Sequence, residues 1–207
     1  MSIITVSREF GSGGREIGKR LSDELGYSYY DREIETEIAE KLSMDENYVA
    51  DNLERSSFLA MPIHYGSTLS GWNSAWVMQK QQMEILQEKT KILKDIAAKG
   101  DCVIVGRAAD VLLEENNPFK LFVYADMDSR VKRCMGRMSD DESYTEKEME
   151  KKIRQVDKER KNYHELFADG TWGDKARYHL CVNTTGCEIK TLIPAIAAYI
   201  KAWEENQ

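Results

Sequence analysis

Four cysteines, three prolines and three histidines are spread over 207 residues, and each scarcity narrows what the chain can be. Cys102, Cys134, Cys181 and Cys187 form no C-x-x-C pair, and Cys102 and Cys181 sit in apolar runs where a free thiol behaves as a small hydrophobe. Neither a disulfide framework nor a zinc site is expected. His64, His164 and His179 share no ligand spacing with one another or with cysteine, so none is assigned a metal or catalytic role. So little proline, beside ample hydrophobic content, argues against a disordered or collagen-like chain. Long apolar runs are missing too: Leu192–Ile200 is nine residues and contains Pro194, against roughly 20 for a helix that crosses a bilayer. The opening MSIITVSREF reaches charged residues before a signal-peptide core can develop, which makes a cytoplasmic location the expectation. Positive charge is the minority: 29 Lys and Arg against 36 Asp and Glu leave −7, the wrong sign for coating nucleic acid. An anionic ligand must therefore be held by a local basic cluster.

What is present is enough to fold. Hydrophobic residues make up 42% of the chain, with four Trp and ten Tyr, and the length suits one domain over 1–207. Ser2–Val6 reads as a strand that ends at a glycine-bearing loop. Ile17, Leu21 and Leu25 then recur every four positions and stop at Gly26, the pattern of a helix with a glycine at its end. Tyr27–Tyr30 reads as a second strand and Glu33–Leu42 as an acidic helix. Residues 44–76 are irregular and collect His64, Tyr65, Trp72 and Trp76, either a ligand-facing insertion or a satellite hydrophobic cluster. Residues 77–99 read as a helix, Cys102–Val105 and Leu121–Ala125 as strands, Ser129–Met138 and Thr145–Tyr163 as charged helices, Leu180–Thr184 as a strand and Lys190–Trp203 as a closing helix. Strands made of apolar runs that alternate with helices predict an α/β fold with a parallel sheet covered on both faces.

In such a sheet, ligands sit beyond the carboxyl ends of the strands, and a strand, glycine loop and helix at the first strand is a preferred place for phosphate. Here the unit runs from Thr5 to Glu16 and carries Gly11-Ser12-Gly13-Gly14. Glycines let backbone N–H groups turn inward, and the helix that follows adds its own unpaired N–H groups and the positive end of its dipole. A match to G-x-x-x-x-G-K-[ST] over Gly13–Arg20 lies too far from the strand and buries Lys19 in the helix pattern. The register that begins at the strand end puts Arg8 at the first glycine position, Gly13 at the second and Gly14 where the phosphate-binding lysine belongs. The lysine is thus absent, and its charge must come from Arg8, Arg15 or an arginine elsewhere. The hydroxyl that would hold magnesium is missing as well, Arg15 and Glu16 following Gly14 in that turn, so the metal ligands stay unassigned.

SREFGSGGREIGKRL at the amino terminus, Tyr29-Tyr30-Asp31-Arg32, Val105-Gly106-Arg107 and the arginine-rich helices together resemble the cytidylate kinase-like family. So does the combination of Asp157, Arg160, Trp172-Gly173-Asp174 and Leu180–Thr184, and the likeness covers nearly the whole chain. It implies a P-loop kinase fold in three α/β/α layers, with a monophosphate-binding insertion at 44–76 and a helical lid at 129–163. It also implies ATP as donor, Mg2+ bridging the phosphates, and a nucleoside monophosphate such as cytidylate as acceptor. Partners would be small nucleotides, with no nucleic acid and no membrane, and association into a homo-oligomer is left open.

Residue by residue, Arg8, Gly11, Ser12, Gly13, Gly14, Arg15 and Glu16 are expected at the ATP phosphates. Arg15, Arg133, Arg137, Arg154 and Arg160 are the candidates for neutralising the transferring group, with Asp157 as their organiser. Arg107 follows an apolar strand and, by resemblance, joins the monophosphate site; the alternative is an ion pair with Asp110. Asp31 and Arg32 stand where the family's substrate segment begins, and Asp31 either orients a phosphate-binding arginine or metal-bound water, or caps the helix after it. Two other functions stay open: a P-loop kinase of a non-nucleotide acceptor, and a non-catalytic nucleotide sensor.

Overall fold

A computed structural model describes residues 2–54, 69–138 and 143–207, with side chains described outside 51–54 and 69–79. Five strands form one sheet: β1 (Ile3–Arg8), β2 (Ser28–Tyr30), β3 (Cys102–Val105), β4 (Phe119–Tyr124) and β5 (Leu180–Asn183). Their order is β2-β3-β1-β4-β5 and every pairing is parallel. Parallel neighbours need crossovers, and the helices supply them: α1 (Gly14–Leu25), α2 (Glu33–Leu42), α3 (Glu46–Glu54), α4 (Leu69–Lys99), α5 (Ala109–Leu112), α6 (Met127–Met135), α7 (Glu146–Glu165) and α8 (Ile189–Glu204).

The two faces of the sheet carry separate cores. On β1, Ile3 points to one side with Ile104 of β3, Ile34 and Ile38 of α2, and Ile92, Leu93 and Ile96 of α4. Ile4 and Val6 point to the other, against Ile17 and Leu21 of α1 and Ile193, Ile196 and Ile200 of α8. The period of two in the strand and the i, i+3, i+4 spacing in the helices are what allow three layers to close. The expected three-layer α/β/α architecture is the one observed.

Element ends differ from the sequence reading where pairing or packing overrides composition. β1 runs on through Ser7 and Arg8, because these pair with Phe122 and Val123 of β4. The helix expected from residue 77 starts at Leu69, where Leu69, Trp72, Trp76 and Val77 already follow helical spacing despite Gly71 and Asn73. The short helix α5 was not legible. Its start follows three successive residues with positive φ, Gly106 (77°), Arg107 (62°) and Ala108 (52°). Of the insertion at 44–76, α3 and the start of α4 are described, while His64 and Tyr65 lie outside the described residues. The span 129–163 holds most of α6 and α7. α7 opens with a capping box in which Thr145 and Glu148 satisfy each other's backbone N–H groups.

Candidate active site

The carboxyl end of β1 opens onto a cleft of about 380 Å3, whose walls include Arg8, Gly11, Gly13, Gly14, Arg15, Arg32, Arg133, Arg137, Lys152 and Arg160. The glycine loop between β1 and α1 forms its floor, and the loop's hydrogen bonds fall into two classes. Its carbonyl oxygens are taken up from the protein side. Arg160 Nη1 donates to the Arg8 oxygen at 3.2 Å, Arg130 Nε to Phe10 at 2.7 Å, Arg133 Nη1 to Gly11 at 3.4 Å and Thr184 Oγ1 to Ser12 at 2.7 Å. The Glu9 oxygen accepts from Ser12 N and Oγ, and Gly13 from Ile17 N.

Its amides behave in the opposite way. Among the described residues, the N–H groups of Gly11, Gly13, Gly14, Arg15 and Glu16 have no hydrogen-bond partner, while that of Ser12 is spent on Glu9. Gly13 is left-handed (φ 89°), a backbone conformation that favours glycine. With the carbonyls fixed behind, a run of unpaired amides faces the cleft at the amino end of α1, an arrangement that takes up an anion.

The cation expected from a lysine comes from another direction. A Cβ on Gly14 would lie 2.5 Å from Arg8 Cβ and 2.9 Å from Arg8 Cγ, so the Arg8 stem fills the space a side chain at position 14 would need. Arg8 is buried, and burial, then repulsion from Arg160 and Arg107, holds its guanidinium well below the ordinary arginine range, with Asp31 opposing. A positive group under that pressure is relieved by a bound anion. Arg15, the other candidate, is half exposed and its Nε lies 2.5 Å from Asp31 Oδ2.

The arginines of the 129–163 span divide. Arg133 reaches the loop and also donates to the Thr184 carbonyl at the end of β5; Arg160 spans Arg8 and the face of Phe10. Arg137 is exposed and pairs with Glu16 at 2.5 Å. Arg154 is placed away from the cleft, on the outer face of α7, bonded to Glu150 at 2.6 Å. Asp157 does not organise those arginines as expected. Its Oδ1 accepts from Phe10 N at 2.7 Å and its Oδ2 meets Arg130, which also reaches Glu9 at 3.1 Å, so it fastens the loop to the lid.

Arg107 does not pair with Asp110; its guanidinium meets Glu35 of α2. Asp31 does not cap α2, since Arg32 occupies the cap position without a side-chain bond and Asp31 turns to Arg15. Arg32 lines the cleft.

Sequence reasoning missed three buried groups here. Lys89, fully buried on α4, donates to the Arg107 carbonyl at 3.1 Å and to Tyr163 Oη, and lies 4.5 Å from the Tyr163 ring centre. Burial, then Arg107, pushes its ammonium well below the ordinary range. Its signal was available: Lys89 falls four residues from both Ile85 and Leu93 on the buried stripe. His164 and Asp110 are buried together, Nε2 to Oδ2 at 2.7 Å.

The donor set does not fit a magnesium ion held by protein side chains. Among the described residues no cluster of three or more His, Cys, Asp or Glu forms, and Glu9, Glu16, Asp31 and Asp157 around the cleft are each paired with arginine.

The cytidylate kinase-like family matches the chain over residues 3–186. The chain belongs to that family. An uncharacterized protein from Eubacterium ventriosum shares the fold at a TM-score of 0.69, with 25% identity over 97% of this chain and 99% of that one. A shikimate kinase from Bacteroides thetaiotaomicron superposes at a TM-score of 0.57 with 12% identity, covering 97% and 98% of the two chains. A shikimate kinase from Acinetobacter baumannii in complex with shikimate does so at 0.52 with 15% identity, over 98% and 94%. These likenesses show a P-loop kinase fold. No match was found among curated proteins. Among the described residues no helix is long and apolar enough to cross a membrane. As a cytidylate kinase-like chain built on this fold, the protein is a phosphotransferase of small molecules.

Proposed function

We propose that this phosphotransferase takes its phosphoryl group from ATP, held on the amides of Gly11 and Gly13–Glu16, with Arg8 in the role of the missing lysine. The observation that carries the reading is the division of the loop: carbonyls bonded from behind, amides unpaired toward an arginine-lined cleft. Phosphoryl transfer asks a protein mainly for position and charge neutralisation, and Arg8, Arg133 and Arg160 provide both at the loop. Magnesium, when present, would ride on phosphate oxygens rather than on a protein cage, and would add charge neutralisation there.

The acceptor is a small anion. The family resemblance makes a nucleoside monophosphate, cytidylate first, the acceptor to try, with Arg32 on the cleft wall and Arg107 in the adjoining cavity. A second reading, an anionic alcohol, is favoured by one observation, the buried Asp110–His164 pair beside Arg107. A nucleotide sensor would bind without turnover.

Calorimetry with ATP, repeated with tripolyphosphate as competitor, tests the donor site. Micromolar to millimolar ATP binding that tripolyphosphate displaces is expected, together with ADP formation that depends on an added acceptor. Absence of binding by either ligand would sink the reading.

A further inference from the structure

Beyond the cleft lies a second, smaller cavity of about 40 Å3, lined by Ser7, Arg8, Arg107, Arg160, Tyr163, His164 and Trp172 among others. Arg8 and Arg160 belong to the walls of both spaces, so a group that leaves the glycine loop toward this cavity passes along two cations. The turn that supplies Arg107 holds two non-glycine residues at positive φ, a conformation that persists where surroundings enforce it. A Cβ on Gly106 would fall 1.6 Å from Arg8 Nη1, so this backbone approaches the guanidinium as closely as a glycine permits.

His164 is 2% exposed, and its Nε2 lies 2.7 Å from Asp110 Oδ2. A carboxylate only accepts, so a proton sits on Nε2, and in the neutral imidazole the lone pair then falls on Nδ1. That Nδ1 is buried without a hydrogen-bond partner. An orphaned acceptor beside an arginine-lined cavity is satisfied by a ligand that brings a hydroxyl donor and a negative charge together. The charged and titratable groups around it are Arg8 from β1, Arg107 and Asp110 from the β3–α5 segment, Lys89 from α4, and Arg160 and Tyr163 from its own helix.

We propose that His164 is the catalytic base for an acceptor hydroxyl, and that the acceptor is a small anionic alcohol, such as a hydroxy acid, whose hydroxyl-bearing end enters this cavity. The inference rests on the phosphotransferase reading and names its substrate class. The acceptor oxygen bonds to the terminal phosphorus of ATP as the bridging P–O bond breaks. That electron pair goes to the terminal oxygen of ADP, and the hydroxyl proton goes to His164 Nδ1, where Asp110 stabilises the imidazolium. A phosphate acceptor needs no such base, because its attacking oxygen is already deprotonated.

The test joins transfer assays to a measurement that needs no turnover. Purified full-length protein with ATP and magnesium is offered a panel of hydroxy acids and acidic polyols beside the nucleoside monophosphates, with products read by 31P NMR. A phosphomonoester from at least one alcohol is expected. His164→Gln should lower its kcat about 10²- to 10⁴-fold and remove the acid limb of the kcat/KM profile, with ATP affinity within twofold of wild type. Asp110→Asn, which keeps the side-chain volume, should fall in the same direction. Independently of any variant, 15N NMR of the unmodified protein should show an unprotonated Nδ1 at His164. An Nδ1–H tautomer overturns the proposal. So does transfer confined to nucleoside monophosphates and retained by His164→Gln, or no transfer to any alcohol of the panel while ATP still binds. Loss of tripolyphosphate-sensitive ATP binding in the wild type would instead bring down the phosphotransferase reading itself.

Discussion

The buried cations near the carboxyl end of the sheet and the exposed ones of the 129–163 span are the same residue types in different physical conditions. Arg8, Arg107 and Lys89 are at most 9% exposed, whereas the Arg154 and Arg137 side chains are 66% and 58% exposed. Arg154 settles on Glu150 one turn away, a contact that water and salt weaken and that is worth a few tenths of a kcal/mol. Arg8 has no such escape: its nearest charged neighbours are mostly arginines, and burial removes the water that would screen them. Arg8 stands at the glycine loop where an anion is needed, while Arg154 lies on a solvated helix face and Arg137 at an exposed edge of the cleft.

This contrast breaks most directly at Arg8. Arg8→Met, which keeps the stem beneath Gly14 and removes the charge, should weaken ATP binding by at least 10²-fold and lower transfer in proportion, with the fold retained by circular dichroism. Equal affinity would mean that the lid arginines alone hold the phosphates.

Lys89 sharpens it through pH. Its ammonium is depressed in the folded chain relative to the ordinary lysine value, so between the two the unfolded chain binds more protons and stability rises as pH increases toward about 10. The slope from this one group is at most about 1.4 kcal/mol per pH unit. Lys89→Met should flatten the rise in urea-unfolding free energy between pH 7 and 10. An unchanged slope would show that the charge is accommodated in the folded state.

The smallest effect is expected on the outside. Arg154→Ala should change stability by no more than about 0.5 kcal/mol and leave ATP affinity and turnover as they were. A tenfold loss of turnover would return Arg154 to the site and show that the lid moves it inward.

Much of the fold was legible. Ile17, Leu21 and Leu25 on α1, and the apolar runs of β3 and β4, carry period and hydrophobicity in a few adjacent residues. The glycine loop was legible because Gly11 to Gly14 need a particular backbone, a local property. The charged residues were not, because a spacing of three or four marks a shared helix face without saying which face is buried. Arg130, Arg133 and Arg137 illustrate this: Arg130 is buried and binds Glu9 and Asp157, Arg133 grips two loops, and Arg137 lies in solvent. His164 carried no signal, since Asp110 is 54 residues away in the chain.

The amino-acid sequence by itself determined the alternation of strands and helices, the parallel sheet that follows from it, the place of the glycine loop and the absence of a lysine in it. Each depends on residues near one another in the chain. Tertiary structure alone decided that Arg8 passes over Gly14, that Arg107 belongs to Glu35 and that His164 meets Asp110 beside a cavity. Burial and charge pairing join distant segments, and their energies depend on how much water the fold removes.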